Sequence, residues 1–64
     1  MAAFLVIRSG RYVWTRAEVW SLDGNPYLIR GGLLEAKREL QQAEAVRREE
    51  YPELESAKID EVFA

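Results

Sequence analysis

Residues 4–29, FLVIRSGRYVWTRAEVWSLDGNPYLI, decide the fold, because two turn signals separate three apolar runs here. Ser9-Gly10 is typical of a hairpin, since Gly accepts the positive φ of tight turns. Asp23-Gly24-Asn25-Pro26 is a second turn, in which Asp and Asn bond local backbone and Pro fixes φ. The runs are rich in β-branched and aromatic residues. They predict an antiparallel β-meander with strands near residues 3–8, 11–22 and 27–30.

The long middle run is the ambiguous part of this meander. A strand of this length favours a bend or bulge near residues 16–18. Thr15 and Glu18 also have the spacing of a helix capping box, so a short helix through Leu22 is the alternative. Such a helix is typical of small winged or helix-turn-helix readers of nucleic acid.

Strand periodicity predicts two different sheet faces. Tight loops at Ser9-Gly10 and at residues 23–26 place Ile7 opposite Tyr12 and the largest side chains on one face. We call this the aromatic face. The other face has smaller residues, so we expect the helix to cover it closely and to leave the aromatic face for a partner or for the C-terminal segment. Exposed apolar surface usually marks an interaction site. The predicted partner-binding residues are Tyr12, Trp14, Arg16, Trp20 and Tyr27.

The second half of the chain is predicted to be helical. A narrow apolar stripe through Leu33, Ala36, Leu40 and Ala43 predicts a helix over residues 33–50, with Leu40 in the core. Pro52 breaks it and permits a second, short helix over residues 53–63. The predicted fold class is therefore α+β: a three-stranded antiparallel β-meander, one long α-helix and a short C-terminal helix, in a single domain of 64 residues.

Composition restricts the function. The chain has no His and no Cys, so imidazole or thiol catalysis and a structural zinc site are excluded, and we expect no enzyme, cofactor or metal. A core this small rarely supplies more than ~3–5 kcal/mol of net stability, which favours a homodimer or a partner-bound state. No basic, apolar leader and no membrane span are visible, so we expect a cytoplasmic location.

Two surfaces are left as candidates for binding. Acidic residues of the second half could face a basic protein groove; these are Glu44, Glu49, Glu50 and Glu53. Alternatively, Arg residues between aromatics on the sheet could bind phosphates and stack bases, although the net charge of −2 does not favour nucleic acid. Arg30-Gly31-Gly32 before a helix is a weak anion-site signal.

In size and composition the chain resembles the small inhibitors that phages carry against host defence, anti-CRISPR proteins among them. It is short, acidic, free of Cys and rich in aromatics. No motif carries this resemblance, so it assigns no residue roles. It implies a non-enzymatic regulator or inhibitor that binds a larger protein complex, with nucleic-acid-handling complexes as one class of target. A small nucleic-acid-binding protein that uses the Arg/aromatic sheet face is the alternative.

Overall fold

A computed structural model describes residues 3–63 as an antiparallel sheet of four strands with one α-helix, which confirms the α+β class. The strands lie in the order β3-β2-β1-β4. The elements are β1 (Ala3–Ser9), β2 (Tyr12–Trp14), β3 (Trp20–Leu22), α1 (Leu33–Glu50) and β4 (Lys58–Phe63).

The first turn lies where the sequence predicts it but is displaced by one residue. Ser9 pairs with Tyr12, and Arg8 pairs with Val13, so the loop residues are Gly10 and Arg11. Gly10 takes the left-handed conformation, with φ 59°. The cross-strand register is thus shifted by two residues from the predicted one. A shift of two leaves each side chain on its expected face, and it avoids placing Arg8 opposite Arg11.

The long middle run is neither one bent strand nor a short helix. It forms a second hairpin, in which β2 and β3 pair and Trp14 lies opposite Trp20. The Thr15 amide and hydroxyl both donate to the Val19 carbonyl oxygen, at 3.2 and 2.8 Å, and close the loop. Arg16 and Glu18 adopt left-handed φ values of 74° and 56°. The prediction of a continuous strand was wrong, because this turn contains no Gly, Asn or Asp, the residue types that indicate a turn in a sequence.

The third predicted strand is reduced to a single bridge. Ile29 and Leu5 exchange two backbone hydrogen bonds of 2.9 and 3.1 Å, and the Tyr27 amide donates to the Trp14 carbonyl oxygen at 2.8 Å. This segment therefore pairs with β1 and not with β3. It satisfies backbone groups of Leu5, a position that β2 is too short to reach.

The predicted C-terminal helix is wrong, because this segment forms β4. It pairs with β1 along its whole length, from Phe4 opposite Val62 to Arg8 opposite Lys58. The sequence KIDEVF contains two β-branched residues and alternates in polarity over its first part, so a strand is locally acceptable. The edge of β1 decides the outcome, since backbone pairing there satisfies groups on both strands.

The helix packs on the aromatic face and not on the small-residue face, which corrects the predicted arrangement. Trp14 and Trp20 lie under α1 with their ring centroids 5.4 Å apart. The helix presents its buried alanines to them, so the close approach comes from small residues on the helix. Leu40 is half-buried against this core. The buried core cluster consists of Ile7, Trp14, Trp20, Ile29, Ala36 and Ala43.

Candidate functional site

The two tryptophans of the predicted binding surface are core residues. Trp14 has no exposed surface and Trp20 is only 3% exposed. The Trp14 indole N–H donates to Glu39 Oε2 at 2.6 Å, and the Trp20 indole N–H donates to the Ala43 carbonyl oxygen at 3.3 Å. Tyr12 is half-buried beside them. The expectation that Trp14 and Trp20 lie on an exposed surface is wrong, because α1 covers them and satisfies both indoles.

Arg16 and Tyr27 come together at the surface. The Arg16 guanidinium carbon lies 4.7 Å from the centre of the Tyr27 ring, and Nη1 donates to the Tyr27 hydroxyl at 2.7 Å. Arg16 Nε lies 3.9 Å from Glu39 Oε1, whose carboxylate also accepts from Trp14. Two of the five predicted partner-binding residues thus form one accessible cluster. Their role in binding stays a prediction.

Glu44 of the predicted acidic face is a structural residue. Its carboxylate accepts two hydrogen bonds from Arg47, of 2.7 and 2.9 Å, and one of 3.0 Å from the Ala57 amide. The hydrogen bonds from Arg47 hold the pKa of Glu44 at about 2, and the same contact raises the pKa of Arg47. Arg47 also donates to the Leu54 carbonyl oxygen at 2.7 Å. This pair ties α1 to the segment leading into β4, so its charge is not available to a partner.

The other residues of the predicted acidic face, Glu49, Glu50 and Glu53, are exposed. Among residues 3–63, no three acidic side chains converge closely enough to hold a metal ion. In the same range, no helix has a stretch that is long and apolar enough to cross a lipid bilayer. The acids near the end of α1 are therefore separate solvated charges.

Sequence reasoning missed an exposed apolar surface at the start of α1. Leu33 and Leu34 are 57% and 67% exposed, and Leu28, in the segment just before them, is also exposed. We call Leu28, Leu33 and Leu34 the apolar shoulder. The buried stripe of the helix begins only at Ala36, which corrects the predicted burial of Leu33. No local signal indicated this, because an apolar stripe that begins at Leu33 cannot be distinguished in the sequence from one that begins at Ala36.

The sheet has one long open edge. In the order β3-β2-β1-β4, the outer side of β4 has no partner strand within residues 3–63. A surface cleft of about 310 Å³ lies at the start of this strand, between Arg8, Lys58 and Asp60. Arg8 Nε lies 3.2 Å from Asp60 Oδ2, so the cleft already contains a compensating ion pair.

Comparison of the chain with protein-family models, with curated proteins and with solved structures found no match. The apolar shoulder, the Arg16–Tyr27 cluster and the edge of β4 are therefore the features from which a function is inferred.

Proposed function

We propose that this protein is a non-enzymatic protein–protein interaction module that acts as a small regulator or inhibitor of a larger protein complex. The observation that carries this proposal is the apolar shoulder. Three leucines within residues 28–34 are exposed on a chain whose core is very small. Burying a leucine side chain fully is worth about 1.5–3 kcal/mol, so leaving these leucines in water forgoes stability that a partner can supply.

The surroundings of the shoulder favour the approach of a partner. No atom lies within 4 Å of the position that a Cβ of Gly32 would occupy, so the backbone before Leu33 is open. The Arg30 guanidinium carbon lies 5.2 Å from the centre of the Phe4 ring. Arg30 stands between Leu28 and Leu33 in the sequence, so this contact fixes a positive charge in the same segment as the leucines. Arg is one of the residue types in which binding hot spots are enriched, so Arg30 adds a polar contact to the apolar area of the leucines.

A protein target is favoured over nucleic acid. Base stacking on the sheet would need Trp14 and Trp20, and both lie beneath α1. The net charge of −2 also works against a phosphate backbone. We therefore propose a protein surface with an apolar pocket as the target, including complexes that handle nucleic acid. This agrees with the resemblance in size and composition to phage-encoded anti-defence inhibitors.

The test is affinity capture from a lysate of the source organism with matched surface variants. Leu34→Glu places a charge in the centre of the shoulder and should abolish capture of the target, because a desolvated carboxylate opposes apolar contact. Val19→Glu is the control, since Val19 is also exposed but lies in the β2–β3 loop. Both variants should retain the melting temperature of the parent.

The capture is repeated with nuclease and at high salt. Retention of the target under both conditions supports apolar protein contact, whereas phosphate binding weakens steeply with salt. Equal capture by the parent and by Leu34→Glu would contradict the proposal. Light scattering at micromolar concentration identifies the other occupant of the shoulder: a second copy would double the 7.4 kDa mass, and Leu34→Glu would restore the monomer.

A further inference from the structure

The outer edge of β4 has no partner strand within residues 3–63. β4 is six residues long, twice the length of β3 at the opposite edge of the sheet. One edge of β4 is paired with β1. In an antiparallel sheet, every second residue of an edge strand directs its N–H and C=O away from the sheet. Here these residues are Ile59 and Glu61, because Leu5, which lies opposite Glu61, directs its own N–H and C=O to Ile29. The Ile59 groups and the Glu61 carbonyl oxygen can pair with a further strand directly. The Glu61 N–H donates to Asp60 Oδ1 at 2.9 Å and exchanges this bond for one to the added strand.

We propose that this edge accepts an extended, basic segment of a protein partner as a fifth strand. This inference rests on the proposed function, because it names the chemistry of the protein that is bound. Strand addition of this kind obtains affinity from backbone hydrogen bonds and specificity from the side chains next to the new strand.

Acidic side chains on both faces of the sheet select a basic strand. Glu61 pairs with Leu5 and therefore lies on the face that carries α1, whereas Asp60 pairs with Val6 and lies on the opposite face. Asp60 is partly compensated by Arg8, and Glu61 has no ion pair within residues 3–63. Glu53 and Glu55, exposed in the preceding segment, extend the negative charge. An added strand with basic residues opposite Asp60 and Glu61 would meet opposite charges at both positions.

The same charges act against a second copy of this chain. If two β4 strands paired antiparallel, opposite residues would have to lie on the same face of the sheet, so the central registers place Asp60 opposite Asp60 or Glu61 opposite Glu61 of the other copy. Like charges directly opposite each other destabilise a strand pair. Charged side chains on an edge strand are a known protection against edge-to-edge pairing. The edge therefore discriminates between a copy of itself and a basic strand.

The test is an NMR titration of the ¹⁵N-labelled protein with the blocked peptide acetyl-VTKRVE-amide. Bound antiparallel, this peptide places its Lys opposite Glu61 and its Arg opposite Asp60. We expect saturable shifts confined to β4 and its neighbours, with slowed amide exchange at Ile59 and Glu61, whose N–H groups face the open edge. The charge-reversed peptide acetyl-VTEDVK-amide should not bind. Glu61→Lys should weaken binding about tenfold, because a favourable cross-strand pair becomes a repulsive one.

Glu18→Lys is the matched control, since it makes the same charge change in the exposed β2–β3 loop, away from β4, and should leave the peptide affinity within a factor of about two. Absence of saturable binding, equal binding of the two peptides, or equal loss in both variants would overturn the inference. So would a β4-mediated dimer at high concentration. The two proposals fail separately: Leu34→Glu tests the apolar shoulder without touching β4, and Glu61→Lys tests the edge without touching the shoulder.

Discussion

The Glu44–Arg47 pair shows how a residue that looks like surface charge in the sequence becomes structural. The i,i+3 spacing of an acid and a base on a helix usually predicts a weak, solvated pair. Here the Ala57 amide and the Leu54 carbonyl oxygen complete the hydrogen bonding of both side chains. Arg47 is consequently buried, with 9% exposure. This pair and the Ser9 hydroxyl, which donates to the Glu55 carbonyl oxygen at 2.6 Å, together fix the path of the chain between α1 and β4.

This pair predicts a specific dependence of stability on pH. The pKa of Glu44 is about 2 in the folded protein and near its ordinary value of 4.5 when the chain is unfolded. A lowered folded pKa means that the stabilisation is complete above pH 4.5 and is lost as the pH falls toward 2. We expect Glu44→Gln to lower the free energy of unfolding at pH 7 and to differ less from the parent near pH 2, as measured by urea denaturation.

Glu49→Gln is the control for the pH experiment, because Glu49 is exposed and has no ion pair within residues 3–63. It should follow the parent over the whole pH range. A constant difference between Glu44→Gln and the parent from pH 7 to pH 2 would show that the Glu44 carboxylate is not stabilised by Arg47.

Trp20 provides a second prediction for a single residue. Its ring is buried between Trp14 and Ala43, and its indole N–H is satisfied there. Trp20→Ala should cost ~3–5 kcal/mol, which is comparable to the whole stability expected for so small a domain. We expect loss of the cooperative melting transition by circular dichroism. A folded Trp20→Ala monomer would show that this ring does not lie in the core.

Some of the secondary-structure elements could be predicted from the sequence, and others could not. The helix over residues 33–50 and the turn at Gly10 follow from local signals, a 3.6-residue stripe and a residue that tolerates positive φ. The β2–β3 hairpin was missed because Arg16 and Glu18 adopt left-handed φ without a Gly. Tertiary contacts hold that loop: Arg16 binds Tyr27, a residue eleven positions away in the chain. Such contacts are not visible in local sequence.

The site was harder to predict than the fold, because its exposure depends on which face α1 covers. The aromatic residues were correctly assigned to one face of the sheet. The helix was predicted to pack on the other face, because the sheet has its smaller side chains there. Ala36 and Ala43 on the helix supply the close approach instead. A sheet and a helix pack at native density when one of them presents large side chains and the other presents small ones. Either element can carry the small residues.

This complementarity predicts the effect of enlarging the helix. Ala36 is fully buried against the sheet, so Ala36→Leu should force α1 away from the core at a cost of about 1–3 kcal/mol. Ala45→Leu is the control, because Ala45 lies on the exposed side of the same helix and both residues have high helix propensity. The melting temperatures of the two variants should differ by several degrees. Equal melting temperatures would show that α1 does not pack on the sheet through Ala36.

For the whole molecule, the decisive contact joins segments far apart in the chain. β1 is central in the sheet and pairs with β4 across a separation that spans nearly all of the described residues. Local pattern in residues 53–63 was compatible with either a helix or a strand, and only the edge of β1 decides between them. Contacts at this separation are the ones that sequence periodicity does not reveal, and their loop-closure entropy must be offset by the packed core.

We therefore predict that β4 is required for the fold and that it acts as a separable strand. A fragment of residues 1–50 exposes the edge of β1 and lacks Leu54 and Ala57, which complete the hydrogen bonding of Arg47 and Glu44, so it should give no cooperative melting transition. Addition of a synthetic peptide of residues 51–64 in excess should restore one, because the six-residue pairing of β1 with β4 and the hydrogen bond that the Ala57 amide donates to Glu44 can form between two chains. The same peptide with Asp60→Pro should fail, since the Asp60 N–H faces Val6 of β1 and Pro removes this donor from the paired side of the strand. Cooperative melting of residues 1–50 alone would show instead that the hairpins and α1 form an independent unit to which β4 is only added.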